Sequence, residues 1–238
     1  MAVPGPMIRA VVLGATGLVG GHLVRMLLAD DRFARVRVLV RRPTGILDPR
    51  LDEHIIDFDN PESWAALVEG DVLFLALGTT KKAAGSEDAQ YRVDVVYQLD
   101  AAIAAYGNDV PNLVLVSAAG ADPEARFFYP RIRGELEKAV LSLEIPHITI
   151  LRPSVLVGER REKRMGERMA IGVMGLASRI SGKLARYKPI PAETVARAML
   201  RAAVYPAPEH RVVEWDDIFS LAGSEGAIQE GSDSQGTK

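Results

Sequence analysis

The sequence predicts an α/β chain built on a doubly wound parallel sheet, and two observations carry that reading. The first is an alternation. Short runs apolar on both faces, at 8–13, 36–40, 54–57, 72–77, 113–117 and 147–151, are separated by helical stretches near 18–29, 61–69, 88–106 and 131–144. Strands buried on both faces and joined by helices are the mark of a parallel sheet covered on each side. The second is "VVLGATGLVGG", residues 11–21, where an apolar strand runs directly into an apolar helix through Gly14, Gly17 and Gly20. Together they define a Rossmann-type sheet.

The helices are read from spacing. In "RIRGELEKAVLSLEI", Ile132, Leu136, Val140 and Leu143 recur every three or four positions, which makes one face apolar and sets it against the sheet. A further helix at 192–204 is bracketed by Pro191 and Pro206, residues suited to starting and stopping it. We expect one domain over 7–222, in which 153–210 contributes a small C-terminal subregion on the substrate side. Residues 1–6 and 223–238, the latter rich in Gly, Ser and acids, are expected to be flexible termini.

Composition narrows the function. A chain of 238 residues that is 48% hydrophobic can bury the core of one large domain. Its net charge of -2 gives no general attraction to nucleic acid or anionic membrane. Apolar runs such as "DVLFLALG" fall far short of the roughly 20 residues a membrane span requires. With no cysteine, disulfides, thiolate metal sites and thiol nucleophiles are excluded, which fits a reducing compartment. Since the start also lacks a secretory pattern, the expected location is the cytoplasm. His22, His54, His147 and His210 are scattered and follow no metal-binding spacing, so no metal is expected. Neither a Gly-x-Ser-x-Gly elbow nor a P-loop is present.

A strand that turns directly into a helix leaves backbone N–H groups unpaired at the helix start, and these attract an anion. In such a turn Gly14 allows the tight bend, Gly17 the close approach of a pyrophosphate and Gly20 close packing of helix on strand. The second strand then selects the dinucleotide. "VRVLVRRP" puts Arg41 and Arg42 where a carboxylate would bind the ribose of NAD, and a 2'-phosphate calls for arginine. NADP(H) is expected over NAD(H).

The segments "GATGLVG", "DFDNPESW", "ALGTTKKAAGSEDAQYRVD", "LVLVSAAGAD", "FFYPRIRGELE" and "ILRPSVLVG" occur in this order between residues 14 and 158. In this the chain resembles the atypical short-chain dehydrogenase/reductases, and among them the Tat-interactive-protein branch. The resemblance implies that Gly14, Thr16, Gly17, Leu18, Val19 and Gly20 line the pyrophosphate and that Arg41 and Arg42 hold the adenosine phosphate. It further implies that Asp57 and Phe58 meet the adenine, that Leu77, Gly78 and Thr79 lie along the nicotinamide ribose, and that Pro153 flanks the nicotinamide. Ser117 corresponds to the family's active serine and Tyr129 to its active tyrosine. The family carries a lysine four residues after that tyrosine, and here the position is Arg133. Arginine keeps the positive charge that would stabilise a tyrosinate and hydrogen-bond the ribose, but it stays protonated and cannot relay protons. Lys138 falls on the opposite helix face from Tyr129, nine residues at about 100° each.

The expected activity is hydride transfer with a small carbonyl or hydroxyl substrate, with Ser117 orienting it and Tyr129 exchanging the proton. A regulatory NADP(H)-binding or redox-sensing protein with little turnover is the reading from another class, and a nucleotide-sugar epimerase-like enzyme lies between the two. Residues 159–188 carry nine Lys/Arg against three Glu. They read as a lid over the substrate cleft, or as a site for an anionic substrate, an acidic partner or a membrane surface. A homodimer or a protein partner is compatible with the sequence.

Overall fold

A computed structural model describes residues 7–157 and 189–223. Two sheets are formed among these residues. A short parallel pair joins β7 (Leu156–Val157) to β8 (Ile190–Pro191). The main sheet comprises β1 (Ile8–Leu13), β2 (Phe33–Val40), β3 (Leu51–Ile55), β4 (Val72–Leu75), β5 (Asn112–Val116), β6 (His147–Arg152) and β9 (Arg211–Glu214). Its order is β3-β2-β1-β4-β5-β6-β9 and every neighbouring pair is parallel. The chain runs outward from β1 through β2 to β3, then returns to the other side of β1 with β4. That reversal opens a crevice beyond the carboxyl ends of β1 and β4, where sheets of this kind bind their ligands.

Alternate strand residues feed two cores. Ala10 and Val12 of β1, with Val114 and Val116 of β5, pack on the side of α1 (Leu18–Ala29) and α6 (Ala192–Val204). Val11, Leu13, Leu113 and Leu115 pack on the side of α4 (Tyr97–Gly107) and α5 (Phe128–Leu141). Because successive side chains point to opposite faces, both halves of each central strand must be apolar, and that is the pattern visible in the sequence. Each fully buried Val or Leu is worth about 1.5–3 kcal/mol. α7 (Asp216–Gly223) packs beside α6, and two short helices, α2 (Lys81–Ala84) and α3 (Glu87–Tyr91), follow β4.

Several elements differ from the sequence reading. The stretch expected as a helix at 61–69 forms two 3-10 turns, Pro61–Ser63 and Ala65–Leu67. The Asn108 amide donates to the Ala65 and Val68 carbonyls at 2.9 and 2.8 Å, groups that a continuing helix would use internally. The stretch at 88–106 is three joined pieces, with a π-helical turn at Arg92–Val96 between α3 and α4. The third strand lies earlier than 54–57, fixed by an ion pair of 2.8 Å between Arg37 on β2 and Asp52 opposite it. α5 starts at Phe128, so Tyr129 and Pro130 lie within its first turn, where a missing N–H costs the helix nothing. β9 and α7 were not expected: β9 buries Val213 while Val212 beside it is exposed, so it offers no continuous apolar run. The basic segment 159–188 read as a lid, residues 1–6 and residues 224–238 lie outside the described residues, whereas Gly223 closes α7.

Candidate functional site

The glycine turn follows β1 at the centre of the crevice. Gly14 has φ +91°, a region that disfavours any side chain, and a Cβ there would collide with the Ala76 carbonyl. A Cβ on Gly20 would collide with the Gly14 carbonyl. These two glycines are therefore demanded by the protein itself, one by the bend and one by the closeness of α1 to the turn. Gly17 differs: it is exposed, lies at φ -80° and ψ 176°, and its Cβ would approach the Gly14 oxygen at 3.1 Å. It caps α1, yet no side chain accepts from the first-turn N–H groups and no acid stands in that turn. The donor set at the start of this 12-residue helix is left to the groove, which is the arrangement an anionic pyrophosphate requires.

A groove of about 840 Å³ opens over this turn, and Thr16, Gly17, Leu18, Arg42, Gly78 and Thr79 all border it. Arg41 and Arg42 are both exposed at the end of β2, but Arg42 borders the groove whereas Arg41 bears on Tyr97. Gly14, Val19 and Gly20 support the turn from below. Phe58 is 4% exposed, stacked on Tyr97 at 5.2 Å and edge-on to Trp64 at 5.9 Å, so this ring is committed to the core. Asp57 beside it is exposed, its carbonyl accepting from the Trp64 indole at 3.0 Å. Leu77 is half-buried against the α4–α5 core, and the Pro153 carbonyl accepts from Ala119 N–H at 2.9 Å. Lys81, in the loop after β4, is paired with Glu87 at 2.9 Å.

Ser117 directly follows β5 at the carboxyl edge of the sheet. It is 5% exposed and its Oγ has no hydrogen-bond partner, a costly state for a buried hydroxyl unless something else completes it. Tyr129 stands in the first turn of α5, 43% exposed. Burial pushes its phenol above the ordinary value of 10.0; the Asp94 charge adds to the rise and the Arg133 charge opposes it. Arg133 is 2% exposed. Its Nη1 donates to the Asp94 carboxylate and to the Asp94 carbonyl, both at 3.2 Å, and its Nη2 donates to the Val116 carbonyl. The ribose contact expected of Arg133 is therefore corrected: the guanidinium is enclosed and engaged from below rather than presented to the groove.

Asp94 was not picked out from the sequence. It is fully buried in the π-helical turn and accepts from Thr79 N–H at 3.2 Å as well as from Arg133. Burial raises its carboxyl above the usual range, while Arg133, the Thr79 N–H and the Gln90 amide pull it back. The available signal was a lone acid within the otherwise apolar run "VDVV".

A family model described as NAD(P)H-binding matches residues 14–205. Protein FMP52, mitochondrial, of Saccharomyces cerevisiae is 35% identical over 229 residues, covering 91% of this chain and 97% of its own. Protein HTATIP2 of Rattus norvegicus is 31% identical over 231 residues, covering 95% and 90%. Among solved structures, MoeE5 in complex with UDP-glucose and NAD superposes with a TM-score of 0.66 at 17% identity, over 90% of this chain and 80% of its own. The UDP-N-acetylglucosamine 4-epimerase of Methanobrevibacter ruminantium M1 gives 0.65 at 16%, over 88% and 77%. At such identities these structures speak for the fold. The cytoplasmic location expected from the sequence is overturned, since FMP52 relatives from several fungi are named mitochondrial. An absence of cysteine separates reducing from oxidising compartments and does not distinguish the cytoplasm from an organelle interior. Among the described residues no helix is long and apolar enough to cross a membrane. The glycine turn at the switch point, the uncapped helix start and these similarities agree, and the chain belongs to the NAD(P)H-binding family, alongside FMP52 and HTATIP2.

Proposed function

We propose that the protein is an NADP(H)-dependent oxidoreductase that interconverts a small carbonyl compound and its alcohol. The observation that carries this reading is the Ser117 hydroxyl, buried and without a partner at the carboxyl edge of β5, where a substrate oxygen would complete it. The α1 N–H groups with Thr16 and Gly17 would hold the pyrophosphate, and Arg42 on the groove wall would take the 2'-phosphate. The groove's one carboxylate, Glu193, is paired with Arg197 at 3.0 Å, so it competes poorly as an acceptor for the ribose hydroxyls of NAD. Asp57, Leu77, Gly78 and Pro153 are assigned to the adenine and nicotinamide sides of the same path, with the ring of Phe58 supporting Asp57 from the core.

When bound, the nicotinamide supplies a hydride to the carbonyl carbon or receives one from the alcohol. Ser117 Oγ orients the substrate oxygen. As charge develops on that oxygen Tyr129 donates its phenolic proton, and in the reverse direction the phenolate takes it back. Held above its ordinary value, Tyr129 is a neutral phenol at pH 7, which suits proton donation and favours carbonyl reduction over alcohol oxidation at that pH.

The same observation supports a second reading, in which the protein binds NADP(H) chiefly to regulate a partner. A phenol without a free cation beside it transfers protons less readily, and turnover would then be slow. Fluorescence titration with NADPH and NADH, followed by aldehydes, ketones and quinones, separates the readings. NADPH binding at least about tenfold tighter than NADH binding, corresponding to about 1.4 kcal/mol, with turnover lost in Tyr129→Phe while binding is kept, is the expected result. Full activity in Tyr129→Phe would remove the tyrosine from the mechanism, and binding without turnover would leave the regulator.

A further inference from the structure

We propose that Asp94 and Arg133 are positioning residues for Tyr129: they form a closed, charge-compensated pair in which Arg133 takes no cofactor contact and Asp94 restrains the pull of its charge on the phenol. The mechanistic consequence rests on the reading of Tyr129 as proton donor; the electrostatic arrangement does not.

The pair joins elements that are far apart in sequence. Asp94 accepts from Thr79 N–H in the loop after β4, and Arg133 donates to Asp94 and to the carbonyl of Val116, the residue before Ser117. A single hydrogen-bonded path thus links the ends of β4 and β5 on either side of the expected substrate position. Gln98 Nε2 adds a bond of 2.7 Å to the Asp94 carbonyl, and a Cβ on Gly134 would collide with the Asp122–Pro123 peptide. The helix that carries Arg133 is therefore seated hard against its own entry loop. The π-helical turn admits the extra residue that brings the Asp94 side chain and carbonyl together at one guanidinium, and such turns recur at functional sites.

Both members are removed from water, with side-chain exposures of 2% for Arg133 and 0% for Asp94. A pair of this kind gives little net stability over apolar residues of similar volume, so stability alone is a weak reason for it. Its charges do bear on Tyr129: Arg133 favours the phenolate, and Asp94 disfavours it together with burial. The other charged groups nearby are otherwise engaged or face solvent. On α5, Arg131 lies over the Phe128 ring and 3.8 Å from Glu135. In the π-helical turn Arg92 pairs with Asp59 at 3.4 Å. In the loop before α5, the Asp122 carboxylate accepts from Glu124 N–H at 2.9 Å, while Glu124 and Arg126 are exposed.

The test reads the phenol directly, by NMR titration of protein labelled at the tyrosine ring Cζ, with Tyr129→Phe assigning the resonance. Three further proteins are compared: wild type, Asp94→Asn and the double variant Asp94→Asn with Arg133→Gln. Removing the carboxylate should lower the Tyr129 midpoint, and removing the guanidinium from that background should raise it again, each step changing the phenolate-to-phenol ratio at fixed pH by at least about twofold. A merely structural role would not move the midpoint in opposite directions. An unchanged or raised midpoint in Asp94→Asn, or no rise on adding Arg133→Gln, overturns the proposal. The readout needs neither cofactor nor substrate, so a protein inert toward carbonyls would refute the oxidoreductase reading without touching this one. Where turnover is found, alcohol oxidation near neutral pH, which needs the phenolate, should rise at least about twofold in Asp94→Asn.

Discussion

The glycine turn allows the demand of the fold to be separated from the demand of the ligand, through Gly17→Ala compared with Gly20→Ala. A Cβ at 17 sits on ordinary extended backbone and meets only the Gly14 oxygen, at 3.1 Å, so a shift of a few tenths of an ångström relieves it. The expected fold cost is below about 1 kcal/mol, partly offset by the lower entropy of the unfolded alanine chain. A Cβ at 20 lands on the Gly14 carbonyl, where backbone must move. Against a helix-propensity gain of about 1 kcal/mol, overpacking there should cost about 3 kcal/mol or more. At about 2–4 °C per kcal/mol for a domain of this size, Gly17→Ala should melt within about 3 °C of wild type and Gly20→Ala well below it. NADPH affinity should nevertheless fall at least about tenfold in Gly17→Ala, since the methyl occupies the approach to the helix start. Scanning calorimetry and a fluorescence titration on the same preparations decide the matter. Unchanged NADPH affinity in Gly17→Ala would refute the assignment of the pyrophosphate to this turn, and a melting loss as large as that of Gly20→Ala would refute the steric argument.

Three other outcomes follow from described contacts. Arg42→Ala should weaken NADPH binding at least about tenfold, by the loss of a charge-assisted contact, while leaving NADH binding nearly unchanged; equal losses for both would mean that Arg42 does not read the 2'-phosphate. Arg152→Ala strips the partner from Glu137, which is 3% exposed and held by Arg152 Nε at 3.0 Å, and should cost about 3–5 kcal/mol in urea unfolding. Asp30 is lowered chiefly by its side-chain hydrogen bond with Arg32, so it contributes stability above its unfolded value of about 3.9 that is lost as pH falls through the lower folded value. The melting difference between wild type and Asp30→Asn should therefore be present at pH 6 and shrink below about pH 4; a difference constant with pH would contradict this.

The parts of the fold visible in the sequence are those governed by local rules. β1, α1 and α6 fall where the runs and prolines put them, because a strand buried on both faces has no polar position to blur it. The third strand was misplaced because edge strands keep polar residues, and Asp52, Glu53 and His54 make β3 half-exposed. The same limit hid β9. In the site, the glycines and Arg42 were legible from spacing alone, and Ser117 and Tyr129 through resemblance. Asp94 was not, because its significance lies in a partner 39 residues away. The environment of Arg133 was equally hidden, since nothing in "YPRIRG" shows that its guanidinium turns inward.

The packing of α1 against α6 has a consequence for how the chain comes together. β1 is the central strand and is made first, and β2 and β4 can pair with it early. Leu23, Val24 and Leu27 of α1 share their core with Val195, Ala198 and Met199 of α6, which are synthesised some 170 residues later. Until then that face of the sheet is bare, and the loop to be closed is long. The nucleotide turn can therefore take shape well before the layer that shields its helix, and a nascent chain halted before Ala192 would display a finished phosphate cradle on a sticky, half-covered sheet.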